Sequence, residues 1–344
     1  MEKKIAVLLS GGIDSSFTAY WVKQNYPDAH IEAITLLLYN NWEDIENAQR
    51  VAKFLNLPHR VLDLRKPFEE RIIQYFLSEY KKGRTPNPCA VCNQEIKLGL
   101  ATELLTREGF EKIFTGHYVK KVQYKGYPIL ARPKDRYKDQ TYFLALLKPK
   151  YLPYLEFPLG DLTKEEVKKL AQEVGLPTAT RKESQDICFL EGQKLKEFLK
   201  KHIPPSAGVF IYKGKVVGRH SGYYAYTIGQ RRGLGLRLGK PVYVVDIDAQ
   251  NNIVFVGEKE NLFKNTVEVE KLNLFLPEEE IFQEKTLWGQ IRYRTPAKEV
   301  EKIEKSPKGW KVIFKEPFQG IAKGQIFALY GENNNLLLGG GIIT

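Results

Sequence analysis

A strand–loop–helix junction near the amino end constrains this chain's fold more than any other feature. Ile5 to Leu9 is an apolar run of strand length, Ser15 to Gln24 reads as a helix, and Ser10-Gly11-Gly12-Ile13-Asp14 lies between them. The alternation continues with Ile31 to Tyr39 as a strand, a helix face of Ile45, Ala48, Val51, Ala52 and Leu55, and Arg60 to Leu64 as a third strand. Phe68, Ile72, Ile73, Phe76 and Tyr80 mark another helix face. After a loop from Lys81 to Pro88, a helix through Ile96, Leu100, Leu104 and Leu105 leads to a strand from Lys112 to Thr115. Near-continuous apolar strands alternating with amphipathic helices require a parallel sheet covered on both faces, so the fold class is α/β. Beyond residue 116 the alternation lapses.

A short helical region follows. Thr163 and Glu166 are spaced as a capping box, Val167, Leu170, Ala171 and Val174 give one apolar face, and Gly175 stands at the C-cap. A further helix runs from about Gly192 to His202 and stops at Pro204-Pro205. From Gly208 turn-separated strands take over, among them Val209 to Tyr212, Val242 to Ile247, Ile253 to Val256 and Trp310 to Phe314, which predict a small antiparallel barrel or sandwich. The expected layout is a catalytic α/β domain over 1–155, a helical adaptor domain over 156–207 and a β-barrel domain over 208–344. No apolar run approaches the ~18 residues of a membrane span, and no export signal precedes the first strand, so the expectation is a cytoplasmic protein without a membrane partner.

Lys and Arg number 53 against 41 Asp and Glu, a net charge of +12. That excess favours an anionic partner, a nucleic acid ahead of a lipid surface, with a merely basic surface as the plain alternative. The loop at 10–14 sharpens the expectation. Two glycines let backbone approach a phosphate, and the amides and dipole of the following helix favour its negative charge. The alternative is a tight turn capped by Asp14 or Ser15. Neither the lysine-bearing P-loop nor a dinucleotide fingerprint is present.

Only three cysteines occur, Cys89, Cys92 and Cys188, which argues for metal or catalytic thiols over a disulfide scaffold. Cys89-Ala90-Val91-Cys92 opens a helix after a Pro- and Gly-rich loop and is flanked by Arg84 and Lys97. That setting predicts a lowered thiol pKa, fit for a nucleophile or a ligand, with inert buried cysteines as the alternative. Ser184-Gln185-Asp186-Ile187-Cys188-Phe189-Leu190 holds the third thiol, which alone reads as a core cysteine.

The Ser-Gly-Gly-x-Asp-Ser element resembles the pyrophosphate loop of the ATP pyrophosphatase superfamily. That resemblance implies cleavage of ATP between its α and β phosphates, with Mg2+, to adenylate a substrate oxygen. Taken with Asn41-Trp42, the segment 83–97, Thr115-Gly116-His117-Tyr118, Lys138-Asp139-Gln140-Thr141-Tyr142-Phe143-Leu144, the run from Gly229 to Gly235, Arg292-Tyr293 and the closing Leu338 to Ile343, nearly the whole chain is similar to the tRNA-specific 2-thiouridylase family, which thiolates the wobble uridine, U34, of tRNA.

The resemblance implies that ATP is held near Leu8, Leu9, Ser10, Gly11, Gly12, Ile13, Asp14, Ser15, Tyr39 and Gly116. It places the target base near Asn87, Pro88, Cys89, Lys138, Asp139 and Gln140, and further tRNA contacts at His117, Arg292, Tyr293 and Gln325. By the same resemblance Cys188 carries a persulfide and Cys92 is the catalytic thiol. Its implied partners are the anticodon arm of tRNA and a sulfur-donor protein, a cysteine desulfurase or a persulfide relay; DNA is not expected. For the residues themselves, Asp139 reads equally as an N-cap, Tyr142 as a core aromatic, Arg292 and Tyr293 as a solvated strand pair and His117 as a structural histidine. Two departures stand out. Cys89 replaces the aspartate of many members, so Cys89, Cys92 and Cys188 together offer a [4Fe-4S] ligand set as an alternative to the persulfide relay. Tyr39 stands where methionine is usual beside the adenine. The other functions open at this point are a small-molecule ligase sharing the loop and a non-enzymatic RNA-binding protein.

Overall fold

The computed structural model describes residues 3–181, 187–190 and 192–344; Ser184, Gln185 and Asp186 of the segment leading to Cys188 lie outside them. Strands β1 (Lys4–Leu8), β2 (His30–Leu37), β3 (His59–Asp63) and β4 (Lys112–Phe114) form a parallel sheet in the order β3-β2-β1-β4, with Leu155–Glu156 at the β4 edge. Ile5, Ala6 and Val7 are fully buried, as a strand covered on both faces must be. Helices α1 (Ile13–Asn25) and α2 (Trp42–Phe54) follow β1 and β2; α2 buries Ile45, Ala48, Val51 and Ala52, the face marked in the sequence. The chain moves outward from β1 to β3 and then returns to the other side of β1 with β4. Connections therefore diverge at the carboxyl ends of β1 and β4, which opens a crevice there.

The alternation lapses after β4 because the next two strands leave this sheet. Lys120–Tyr124 and Tyr127–Ala131 form a hairpin whose turn residues Lys125 and Gly126 both have positive φ (49° and 83°), matching the twist of a two-residue hairpin. Its second strand pairs with Leu336–Ile342 through Leu336–Ala131 and Leu337–Leu130, so it completes a nine-stranded sheet built mainly from residues 263–342. The β region after Gly208 therefore divides in two. A separate four-stranded sheet spans Gly208–Tyr212, Lys215–His220, Tyr243–Asp248 and Ile253–Gly257, around its own core of Phe210, Val244, Val254 and Val256.

The helical region between is as its caps foretell. Lys164–Glu173 starts on a Thr163–Glu166 capping box, and Gly175 takes φ +75° past its end.

One core runs from the underside of the parallel sheet into the large β-sheet. Tyr142 joins them: it is 1% exposed, its hydroxyl donates to the Ile326 carbonyl (3.0 Å) and accepts the Ile326 N–H (3.2 Å). The reading of Tyr142 as a core aromatic holds. Tyr142→Phe strands both groups of Ile326, and is expected to cost about 1–3 kcal/mol in urea denaturation with nucleotide affinity unchanged.

Candidate nucleotide and sulfur-transfer site

The crevice at the ends of β1 and β4 encloses about 270 Å3. Of the residues expected around ATP, it is lined by Leu8, Leu9, Ser10, Asp14, Ser15, Tyr39 and Gly116. At its edge α1 starts on Gly12 as the N-cap with no side chain capping the helix, so the first-turn amides have no acceptor from their own cap; Gly11, Gly12 and Ile13 do not line the crevice. The loop is braced from within: Ser15 Oγ donates to the Gly12 carbonyl (3.0 Å) and accepts the Ser10 N–H (3.1 Å), while Ser16 Oγ donates to the same carbonyl (2.8 Å). Ile13 turns into the core at 3% exposure.

Gly11 adopts φ +74°, and a Cβ there would lie 2.4 Å from the Asp44 carbonyl oxygen of α2. Gly116 also packs closely against the loop, its missing Cβ 2.9 Å from Ser15 N. Gly11→Ala adds about 1–2 kcal/mol of left-handed backbone strain to that clash. The expected result is a lower melting temperature together with loss of ATP binding in calorimetric titration.

Asp14 is the most heavily engaged residue of the loop. Its carboxylate accepts from the Tyr118 hydroxyl (2.8 Å) and, through both oxygens, from Lys164 Nζ (2.7 Å each). Lys164 is 5% exposed and opens the helix Lys164–Glu173. Arg181 reaches the same loop from the other side, donating to the Gly11 carbonyl (2.8 Å) and to Asp44 (2.7 Å). Neither Lys164 nor Arg181 stands out by motif. The one signal for Lys164 is a lysine in the first turn of a well-capped helix, where the dipole disfavours a cation.

Cys188 lines the crevice together with Lys97, His117 and Gln140. Cys92 is buried within the helix Pro88–Cys92, which starts on Asn87, whose side chain accepts the Ala90 N–H (3.1 Å), with Pro88 in its first position. Cys89, on the same helix, is exposed. The expected lowering of the thiol pKa is overturned. Burial pushes Cys92 up to about 12, and the protein crowded around Cys89 raises that thiol too although its own surface is open to solvent; the Lys97 charge opposes both but is outweighed. Arg84 gives no help, because it pairs with Glu79 (3.3 Å). Burial works against the Lys97 charge, yet the three sulfurs favour it and its pKa is raised. Among the described residues no three cysteine, histidine or carboxylate side chains converge closely enough to hold a single metal ion.

Of the residues expected to meet tRNA, four line two clefts and the others lie outside both. Gln140 and His117 lie in the nucleotide crevice, where the Gln140 side-chain oxygen accepts the Tyr118 N–H (2.8 Å). Asp139 and Tyr293 line a second, larger cleft of about 410 Å3 with Arg132, Arg136 and Arg294. Asp139 is buried, pairs with Arg132 and accepts the Thr141 N–H (2.9 Å), so its charge is spent locally, but it precedes Gln140, which is the N-cap of the helix Thr141–Leu144, and the N-cap reading of Asp139 does not hold. Arg292 and Tyr293 lie on a turn after Trp288–Gln290 and not on a strand; Arg292 donates to the Gly320 carbonyl (3.0 Å) and Tyr293 packs 4.4 Å from Phe143. Lys138 belongs to the turn tied down by Asp135, which accepts its N–H (3.2 Å). Gln325 donates to the Thr85 carbonyl (2.7 Å) and so secures the loop leading to Cys89.

Family models match three successive stretches: a tRNA methyl transferase HUP domain over residues 3–192, a tRNA methyl transferase PRC-barrel domain over 196–258 and an aminomethyltransferase beta-barrel domain over 264–343. The tRNA-specific 2-thiouridylase MnmA of Aquifex aeolicus is 44% identical over 99% of this chain and 98% of its own length. That of Thermus thermophilus is 41% identical over 99% and 95%. The chain belongs to the tRNA-specific 2-thiouridylase family. Among solved structures, the U34-tRNA thiolase NcsA from Methanococcus maripaludis with its [4Fe-4S] cluster covers 59% of this 2-thiouridylase family member and 67% of its own chain at 19% identity, with a TM-score of 0.38, a likeness too slight to carry an argument.

In this 2-thiouridylase family member His117 is held neutral. Burial, aided by the Lys97 charge, lowers its pKa from 6.5 to about 3, and Thr115 Oγ1 lies 2.5 Å from its Nδ1. A depressed histidine pKa means that the folded state takes up no proton where the unfolded chain does, so protonation opposes folding only below the ordinary value. NMR titration is expected to show His117 uncharged from pH 8 down to about 4, with no inflection in ATP affinity near 6.5.

Proposed function

We propose that this chain catalyses ATP-dependent 2-thiolation of U34 in tRNA. The observation that carries the reading is that Cys188 shares one crevice with Ser10, Asp14, Ser15 and Tyr39, which brings a sulfur to the nucleotide cradle. A small-molecule ligase built on the same loop has no use for that thiol. The loop and the first-turn amides of α1 receive the phosphates and Tyr39 offers a face to the adenine; Asp14, with both oxygens engaged by Lys164, does not fit as a ligand for the magnesium ion accompanying ATP. Among the described residues no helix is long and apolar enough to cross a membrane.

The uracil 2-oxygen attacks the α-phosphorus of ATP, and pyrophosphate leaves. The terminal sulfur of a Cys188 persulfide, loaded by a desulfurase or relay protein, attacks C2 and AMP leaves with the former 2-oxygen. Cys92 then attacks the Cys188 sulfur; its S–S bond to Cys188 forms as the one to the transferred sulfur breaks, leaving 2-thiouridine and a disulfide that an external thiol reduces. Lys97, charged and beside all three sulfurs, stabilises whichever thiol ionises. The anticodon arm is supported by the second cleft, where Arg136 and Arg294 stand with Tyr293 and with Tyr137, which is 92% exposed.

The test is anaerobic purification with iron analysis, followed by thiolation of unmodified tRNA from a persulfide donor. The expected protein is iron-free and active, Cys92→Ser and Cys188→Ser each lower thiolation by at least ~100-fold while ATP still binds, and Cys89→Ser keeps most activity. About four irons per chain, with Cys89→Ser as damaging as the other two, would replace the relay by a cluster mechanism. Thiolation-dead protein whose serine variants still turn over ATP on a small acceptor would establish the ligase reading.

A further inference from the structure

We infer that Arg181 is a positioning residue for the pyrophosphate end of ATP; the inference rests on the nucleotide reading of the crevice. Arg181 spans two groups of the loop's back wall, Nη1 donating to the Gly11 carbonyl (2.8 Å) and Nη2 to Asp44 (2.7 Å) and Glu43 (3.3 Å). In a planar trans peptide the carbonyl and the next N–H point in opposite directions. Fixing the Gly11 carbonyl on Arg181 therefore turns the Gly12 N–H away from Arg181. Among the described residues that N–H has no acceptor, and it leads directly into the uncapped first turn of α1. Gly11, at φ +74°, is free to rotate as other residues are not, so this peptide needs an external anchor to keep one orientation.

Arg181 also offsets charge. Asp44 lines the crevice, and with Glu43 it would repel a polyphosphate. The pyrophosphate loop carries no lysine of its own, so the cations near it arrive from outside: Lys97 in the crevice wall, Lys164 on Asp14, and Arg181 on Gly11 and Asp44. Arg181 lies seven positions before Cys188, so the group that orders the cradle belongs to the stretch of chain that delivers the sulfur-bearing cysteine.

Binding of ATP, pyrophosphate and AMP to the full-length protein, measured by calorimetry without turnover, tests this. Arg181→Ala is expected to weaken ATP and pyrophosphate by about 10- to 100-fold and AMP by less than about 2-fold. Arg181→Lys, which can still donate to the Gly11 carbonyl, should recover part of the loss. The double variant Arg181→Ala/Asp44→Asn separates the two roles: affinity for pyrophosphate stays low if the peptide is misoriented. Recovery to the wild-type value would overturn the positioning role and leave charge offset alone. Equal losses for AMP and pyrophosphate, with a lowered melting temperature, would overturn it in favour of a structural role. Wild-type protein that binds neither ATP nor pyrophosphate would sink the nucleotide reading itself.

Discussion

Lys164 is a cation with 5% exposure in the first turn of a helix, where the backbone dipole already presents positive charge. Such a group is tolerable only in contact with a carboxylate, and Asp14 meets it with both oxygens. Losing one partner of a fully buried pair costs about 3–5 kcal/mol; the figure here is smaller because the Asp14 side chain is 30% exposed. The pair does more than neutralise. Asp14 also holds the Tyr118 hydroxyl, the Tyr118 N–H holds Gln140, and the Lys164 N–H is given to Asp135, whose other oxygen caps Tyr137 and Lys138. One ion pair thereby fixes the nucleotide loop, the helix that follows the sheet and the turn facing the second cleft.

The thiols show the opposite balance, in which environment works against chemistry. A sulfur held as a thiol up to about pH 12 is a poor nucleophile at neutral pH, and Cys92 is in that state. For the step proposed for Cys92, the Lys97 charge is the influence that favours the thiolate against that burial. The same enclosure shields Cys92 from oxidants, a protection that the exposed Cys89 on the same helix lacks.

Residues whose role is local were legible in the sequence, and residues whose role depends on distant partners were not. The strand–helix alternation, the loop at 10–14, the capping box at Thr163 and the C-cap at Gly175 are written in neighbouring side chains, and each is found where its pattern places it. The exit of 120–131 to a strand beginning at Leu336 is not, because nothing local marks a partner that far along the chain. For the same reason Lys164 and Arg181, which touch Asp14 and Gly11 across more than a hundred residues, carry no motif. The thiol pKa was misjudged because flanking cations are visible in a sequence and burial is not. Arg292 and Tyr293 failed as a strand pair because the turn after Trp288–Gln290 is set by Arg292 bonding Gly320, again a contact between distant positions.

The hairpin at 120–131 also has a history during synthesis. Ile129 and Leu130 are fully buried in the finished sheet, but the strand that pairs with them emerges about two hundred residues later, roughly 10–40 s at ~5–20 residues per second. Throughout that interval the nascent parallel sheet is tethered to an apolar hairpin with an open edge, the kind of surface that recruits strands from neighbouring chains. Ribosomes translating one message side by side hold several such edges at high local concentration. Translation speed and chaperone supply should therefore govern the yield of this protein more than its final stability does.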